Sequence, residues 1–409
     1  MLSRLWFSFF FLSFIACFYQ WWVLDNPEIF SVVVKASFDM AKLAVEIAIG
    51  LIGVMCLWLG IFKVAEASGL LQVFAKLLSP LFERLMPEIP KGHPAIGSVT
   101  MNLSANLLGL DNAATPMGLK AMQDMQELNS DKSVASNPQI LFLVLNTSSV
   151  TLLPITVFLY RAQLGAAEPT SVFLPIVLAT TASTLVGLLV VAWIQKLKLF
   201  DWVVLSYFMG LALLVSSLFY AVKVQAPGDI NSFSNLLGNL VLFSVIVGIL
   251  GIGVVKKISV YDVFIEGAKE GVSVCVTIVP YLVAMLVGIG ILRASGVLDL
   301  FIDGLAFLLA SANINTDFVA ALPTALMKPF SGSGSRAMMI ETMNNFGVDS
   351  FPAKIAAIVQ GSTETTFYVL AVYFGSVGIR NGRHAVFCGL TADLAGITAA
   401  ILLGYWFFY

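Results

Sequence analysis

The sequence predicts an all-α, polytopic membrane protein of about nine transmembrane helices and two re-entrant hairpins, arranged as an inverted repeat. Three observations carry this. Of 409 residues, 59% are hydrophobic and 11% charged, where a soluble domain carries about 25% charge. Many segments approach the ~20 apolar residues that cross a bilayer. Two further apolar stretches, about 94–122 and 318–343, are too short and too polar for simple spans, and blocks of the first half recur in the second.

Residues 5–24 are apolar behind Arg4 and lack an A-x-A cleavage site. They are expected as a retained helix with an aromatic interfacial end at Trp21-Trp22. A polar loop (25–35) leads to a span at about 40–62, closed by Lys63. In 69–90, Leu70, Leu71, Phe74, Leu77 and Leu78 oppose Lys76, Glu83, Arg84 and Glu88, which fits a helix lying in the interface. The first hairpin and a polar loop (123–138) follow. Spans are expected at about 139–160, 172–195, 200–222, 235–255 and 271–292, then a surface helix at 297–310 and the second hairpin. The last spans fall at about 352–378 and 385–408. With Arg4 in the cytoplasm, the loops holding Lys63, Lys76, Arg84 and Lys91, then Lys196 and Lys198, Lys256 and Lys257, and Arg380 and Arg383 all lie inside. Isolated charges such as Lys35, Arg161, Lys223 and Arg293 lie outside, as the positive-inside rule requires.

The repeat is legible in blocks. Ala41-Lys42 matches Ala268-Lys269, Ala67-Ser68-Gly69-Leu70-Leu71 matches Ala294-Ser295-Gly296-Val297-Leu298, and Ser104 matches Ser331, all 227 residues apart. Asn146–Thr151 aligns with Gln360–Thr365, and Val172-Phe173 with Val386-Phe387, at a spacing of 214, because the first hairpin carries 13 additional residues. Five spans separate equivalent points, and an odd number makes the repeats inverted. Inverted repeats with broken helices at corresponding positions are the pattern of secondary transporters, whose site lies at midplane. The chain divides accordingly into 1–34 (first helix and loop), 35–198 (first repeat), 199–257 (a connecting pair) and 258–409 (second repeat).

Irregular polar backbone at membrane depth survives only where it is buried in protein or lines a wet cavity. Four polar stretches are therefore expected to converge on a solute. They are Asn106, Asp111, Asn112 and Thr115; Asn146, Ser148, Ser149 and Thr151; Ser331, Ser333 and Arg336; and Gln360, Ser362, Thr363, Glu364 and Thr365. Amides and hydroxyls hydrogen-bond a polar solute, and half-helix N-termini favour an anionic group. Glu364, set among threonines, is the first candidate for a coupling proton or sodium ion. Asp393, inside the last span, is the second, and it needs a partner there; Arg336 and Lys328 are the choices.

Enzyme signatures are missing. Ser331-Gly-Ser-Gly-Ser335 lacks the strand and the GK[ST] ending of a phosphate loop, and no HExxH or GxSxG occurs. Cys17, Cys56, Cys275 and Cys388 stand singly, and His93 and His384 lie at segment edges, so no cofactor or metal site is expected. A net charge of −2 argues against a nucleic-acid partner.

Residues from about 35 to 195, with Ser104-Ala-Asn-Leu-Leu-Gly-Leu-Asp-Asn-Ala-Ala-Thr-Pro116 and Asn146-Thr-Ser-Ser-Val-Thr-Leu-Leu-Pro154, resemble the spore maturation protein A family. Residues from about 258 to 408, with Ser331-Gly-Ser-Gly-Ser335 and Gln360-Gly-Ser-Thr-Glu-Thr-Thr-Phe-Tyr-Val-Leu-Ala-Val-Tyr-Phe-Gly375, resemble spore maturation protein B. The whole is similar to a fusion of the two, within the nucleoside-recognition or Gate family. The resemblance implies a bacterial inner-membrane protein, here with a cytoplasmic N-terminus and a periplasmic C-terminus. In nucleoside transporters of similar design a Gln-Thr/Ser-Glu-Ala tip holds the solute; Asp111-Asn112-Ala113 stands here instead, which argues against ribose-type recognition. Ferrous-iron transporters share Gate segments, but no Cys/His/Met ligand set marks these hairpins. The expected activity is secondary transport of a small polar or anionic solute, nucleoside-like or carboxylate. Membrane lipids, the solute, a coupling proton or sodium ion and a second copy of the chain are the expected partners. The alternative is a non-transporting membrane partner that regulates an envelope enzyme or transporter.

Overall fold

The computed structural model describes residues 2–109, 111–148, 151–225 and 229–409, with the backbone alone at residues 2, 3, 5 and 111–113. Helices joined by turns make up the described residues, with one isolated bridge between Val134 and Asn381. Eight helical segments among them are long and apolar enough to cross a membrane.

The first helix, α1 (Leu2–Val23), is tied to a later one: the Trp6 indole donates to the Ala284 carbonyl and the Gln20 amide to that of Ser295, both at 2.8 Å. The second, α2 (Ile29–Ala67), starts well before the expected span and absorbs most of the expected polar loop. Lys35, Asp39, Lys42 and Glu46 fall on one exposed helical face, where charges three and four apart become neighbours. Its counterpart is α11 (Val260–Ala294). Both end alike. The Ser68 and Ser295 hydroxyls donate back to the carbonyls of Ala65 and Leu292. Gly69 and Gly296 then turn left-handed, at φ +76° and +75°, a conformation that costs glycine little.

The order continues with α3 (Leu70–Leu85), the hairpin α4 (Pro94–Leu107) and α5 (Asp111–Leu128), then α6 (Asn137–Thr147), α7 (Ile155–Gln163) and α8 (Phe173–Gln195). After the connecting α9 (Trp202–Lys223) and α10 (Ile230–Val255), α11 opens the second series. It runs through α12 (Val297–Ser311), α13 (Leu322–Met327), α14 (Gly332–Phe346), α15 (Phe351–Ser362), α16 (Thr366–Ser376) and α17 (Ala385–Phe408). Surface helix α3 buries Leu71, Ala75, Phe82 and Leu85 but leaves Leu77, expected on the apolar face, 60% exposed.

The expected span at about 139–160 is a broken helix. Its helix stops at Thr147 and resumes at Ile155. Pro154 lacks an amide proton and disfavours helix at Leu153. The equivalent segment breaks between α15 and α16, where Thr363 is extended (φ −147°, ψ 170°).

Small residues set how the two series meet. A Cβ on Gly267 would fall 2.5 Å from the Leu59 carbonyl oxygen, one on Gly271 2.7 Å from the Cys56 amide, and one on Gly290 would run into Met40. These contacts make α2 and α11 antiparallel, brought close by a Gly-x-x-x-Gly face. Helices α8 and α17 meet in the same way, Gly187 against Ala392 and Gly396 against Ser183 at 3.0 Å each. The loops agree as well. The Ala135 amide donates to the Asn381 carbonyl, and the Ala167 amide to the Asp349 carboxylate, both at 2.9 Å; these pairs occupy equivalent positions 214 residues apart. Equivalent helices crossing antiparallel are what a two-fold axis in the membrane plane produces.

Gly271→Val should cost about 1–3 kcal/mol through overpacking against backbone and lower the melting temperature of the detergent-solubilised protein. Gly251→Ala, in open space on α10, should leave it unchanged.

Candidate functional site

A cavity of about 100 Å³ lies where both hairpins and both helix breaks meet. Gly109 reaches it from the α4–α5 turn, Thr151 to Val157 from the first break, Lys328, Gly332 and Arg336 from the second hairpin, and Gln360, Gly361 and Glu364 from the second break. A neighbouring cavity of about 140 Å³ shares Gly109, Tyr160 and Arg336 and extends between α2 and α11.

Three backbone hydrogen bonds tie the breaks to their surroundings. The Leu152 amide donates to the Leu107 carbonyl (3.1 Å), joining the first break to the first hairpin. The Phe367 amide donates to that of Pro329 (2.9 Å), joining the second pair. The Glu364 amide crosses between the halves to the Thr147 carbonyl (2.7 Å). Gly109 is left-handed at φ +73°, and a Cβ there would crowd the Leu153 carbonyl oxygen at 3.0 Å.

The second hairpin fixes the polar groups. The Ser331 hydroxyl caps α14 by accepting from the Gly334 amide (3.0 Å) and lies 3.2 Å from that of Ser333. The Ser335 hydroxyl donates to the Gln360 side-chain oxygen (2.7 Å). The Lys328 ammonium, 2% exposed, donates to the Gln360 carbonyl (2.8 Å). The Arg336 guanidinium lies over the Tyr160 ring, 5.6 Å from its centre, a cation–π arrangement. Glu364 is exposed at the lining.

Of the residues singled out by sequence, the cavity brings together Thr151, Lys328, Arg336, Gln360 and Glu364. Asn106 and Asn146 form an adjacent layer, amide to amide at 2.8 Å, with Asn102 and the Tyr373 hydroxyl within 3.4 Å of the same ladder. Ser148 and Ser362 donate back into their own helices, to Val144 and Val359. Thr365 is buried against Gly332, and Thr115 is half-buried on α5. The side chains of Asp111 and Asn112, and all of Ser149, lie outside the described residues. Asp393 is 2% exposed; the Thr366 hydroxyl donates to its Oδ2 at 2.6 Å. Lys328 lies within electrostatic reach of it, whereas Arg336 is stacked on Tyr160.

Two charges that stand singly in the sequence find partners in the fold. Arg161 is fully buried in α7 and donates to Asp349 Oδ1 (2.9 Å) and to the carbonyls of Val348, Pro169 and Glu168. Arg293 pairs with Asp299 (2.7 Å) and Glu341. Their partners are invisible to local patterning; Asp349 is 188 residues from Arg161. Sequence inspection also passed over Asn102, Tyr160 and Tyr373. Asn102 had a signal, one helical turn before Asn106, but Tyr160 and Tyr373 look like ordinary aromatics at the ends of apolar runs.

With this geometry in view, the family assignment is direct. The Gate family, described as nucleoside recognition, matches residues 48–164 and 275–380, more than half of the chain, and the two matches start 227 residues apart, the spacing of the repeat. The chain belongs to this family. It is 46% identical over 149 residues to spore maturation protein A of Bacillus subtilis (strain 168), covering 36% of this chain and 76% of the relative. It is 42% identical over 159 residues to spore maturation protein B of the same organism, covering 39% and 88%. No solved structure matches it.

Arg161→Met removes a cation from several buried acceptors. A buried pair broken on one side costs about 3–5 kcal/mol. Asp349 is 41% exposed and rehydrates, so the expected loss is nearer about 2–3 kcal/mol, read by thermal unfolding in detergent. Asp349→Asn should cost less.

Proposed function

We propose that this protein is a secondary transporter of a small polar or anionic solute across the bacterial inner membrane, with both hairpins re-entrant and the solute held between them. The observation that carries this is the convergence of two hairpins and two helix breaks, equivalent under the repeat, on one polar cavity. A water-filled chamber explains why irregular backbone is tolerated at membrane depth. Arg336 would take an anionic or carbonyl oxygen, and Gln360, Thr151 and Glu364 would take the remaining polar groups. At about 100 Å³ the chamber is well below the ~300–1,000 Å³ of ordinary ligand pockets. A compact carboxylate fits it more readily than a whole nucleoside, which would also need the neighbouring cavity.

Alternating access follows from the two ties between halves. The Ala135–Asn381 link and the Arg161–Asp349–Ala167 link lie at equivalent, oppositely facing ends, and breaking one while the other holds would open the chamber to one side. The exposed apolar faces of α9 and α10, with Leu213, Tyr220, Leu236 and Phe243, are where lipid and a second copy of the chain would pack.

A thermal-shift screen of purified protein against small carboxylates, nucleosides and nucleobases tests the assignment. A ligand at about 100 times its Kd stabilises by roughly 2.7 kcal/mol. The expected hit is an anion whose affinity falls roughly 10- to 100-fold in Arg336→Gln, the worth of a charge-assisted hydrogen bond of about 1.5–3 kcal/mol. A hit indifferent to both Arg336→Gln and Glu364→Gln would remove this site, and silence alongside capture of an envelope protein would favour a regulatory role. A reporter fused after Tyr409 should read as periplasmic; a cytoplasmic signal would break the proposed orientation.

A further inference from the structure

A transporter of this kind needs a coupling ion, and one buried carboxylate is built for it. Asp393 is 2% exposed in α17, and the Thr366 hydroxyl holds one of its oxygens. Its other oxygen, Oδ1, has no hydrogen-bond partner among the described residues. The Thr363 hydroxyl, also 2% exposed, stands beside the same carboxylate. A buried acceptor left unmatched is costly, and more so when it carries charge.

We infer that Asp393 takes up and releases the coupling proton, which enters from the cavity. This rests on the transporter assignment above. Protonation converts Oδ1 from an acceptor into a donor, and Thr363 Oγ1 accepts from it. When Asp393 is ionised, the Thr363 hydroxyl rotates and donates to it. A hydroxyl both donates and accepts, so the same two atoms match in either state. Glu364 lines the cavity and lies within electrostatic reach of Asp393. The proton comes from cavity water and bonds to Oδ1, and no other bond changes.

Lys328 links this proton to movement. Its ammonium ties the second hairpin to the Gln360 carbonyl in the second break and lies within reach of Asp393. An ionised Asp393 holds Lys328 in place; a protonated one releases that hold and loosens the hairpin that closes the chamber. The other charged group facing Asp393 is Glu364. Among helices packed on α17, α6, α8 and α10 carry no ionisable side chain. From α15, Lys354 lies over the Phe408 ring at the far end of α17. From α16, Tyr368 is exposed and Tyr373 is hydrogen-bonded to Asn102 and Asn146. Sodium is the poorer fit, because the positive charge of Lys328 opposes a second cation at the same carboxylate.

Infrared difference spectroscopy of the full chain in detergent, stepped between about pH 5 and pH 9 around the physiological range, tests this without knowing the solute. The expected result is one protonated-carboxyl carbonyl band that disappears toward alkaline pH. It should be lost in Asp393→Asn, retained in Glu364→Gln, and displaced in wild-type protein labelled with carbon-13 at the aspartate carboxyl. The labelling needs no variant, so a misfolded Asp393→Asn leaves the test intact. A band that does not titrate, or that ignores the label, overturns the inference. Loss of the band when sodium replaces potassium at fixed pH overturns it in favour of a sodium site. These outcomes are separate from those of the ligand screen: a silent band leaves the solute cavity standing, and a cavity that binds no solute leaves the titration of Asp393 unchanged.

Discussion

Inside a bilayer no water is available to take up a stray backbone amide or carbonyl, and each one left unsatisfied costs several kcal/mol. The rest of this structure follows from how that constraint is met at two places where helices stop halfway. At Thr151–Pro154 and Thr363–Thr365 the chain is not helical, and groups at these breaks pair with the hairpins and with each other: Leu152 with Leu107, Phe367 with Pro329, Glu364 with Thr147. The last of these crosses between the halves. The polar centre is therefore held by backbone, with side chains such as Lys328, Ser335 and Gln360 locked around it.

The repeat makes this economical. Two copies of one helical order, crossed antiparallel through glycine and other small residues, place equivalent breaks opposite each other. The same symmetry puts a tie between halves at each end, although the two ties differ in chemistry. One is a backbone bridge between Ala135 and Asn381, with Arg383 donating to the Ala135 carbonyl; the other gathers around a buried arginine, Arg161, and the half-exposed Asp349.

The polar centre also separates its charges. Arg336 is directed to the chamber over Tyr160, Glu364 stands exposed at the lining, and Lys328 lies behind, between Gln360 and Asp393. In the proposed transporter, a solute and a proton would act on one hairpin from two faces.

Composition and periodicity determined the membrane class, the helical architecture, nearly every helix and the inverted repeat, because hydrophobic length and matched blocks such as Ala67–Leu71 and Ala294–Leu298 are local signals. They also marked the four polar stretches. Local signals did not reveal that the span at 139–160 is broken, since its apolar residues continue past Pro154. Nor did they show which polar residues line the chamber: Ser148 and Ser362 look like ligands in sequence but spend their hydroxyls on their own helices. Tertiary structure alone decided that Arg161 finds Asp349, that Lys328 comes within electrostatic reach of Asp393, and that Tyr160 lies under a guanidinium. These pairings join residues roughly 65 to 190 positions apart, except where a helix intervenes only once, as between Lys328 and Gln360. Their partners are chosen by how the two repeats cross, a property of packing that no single stretch of sequence contains.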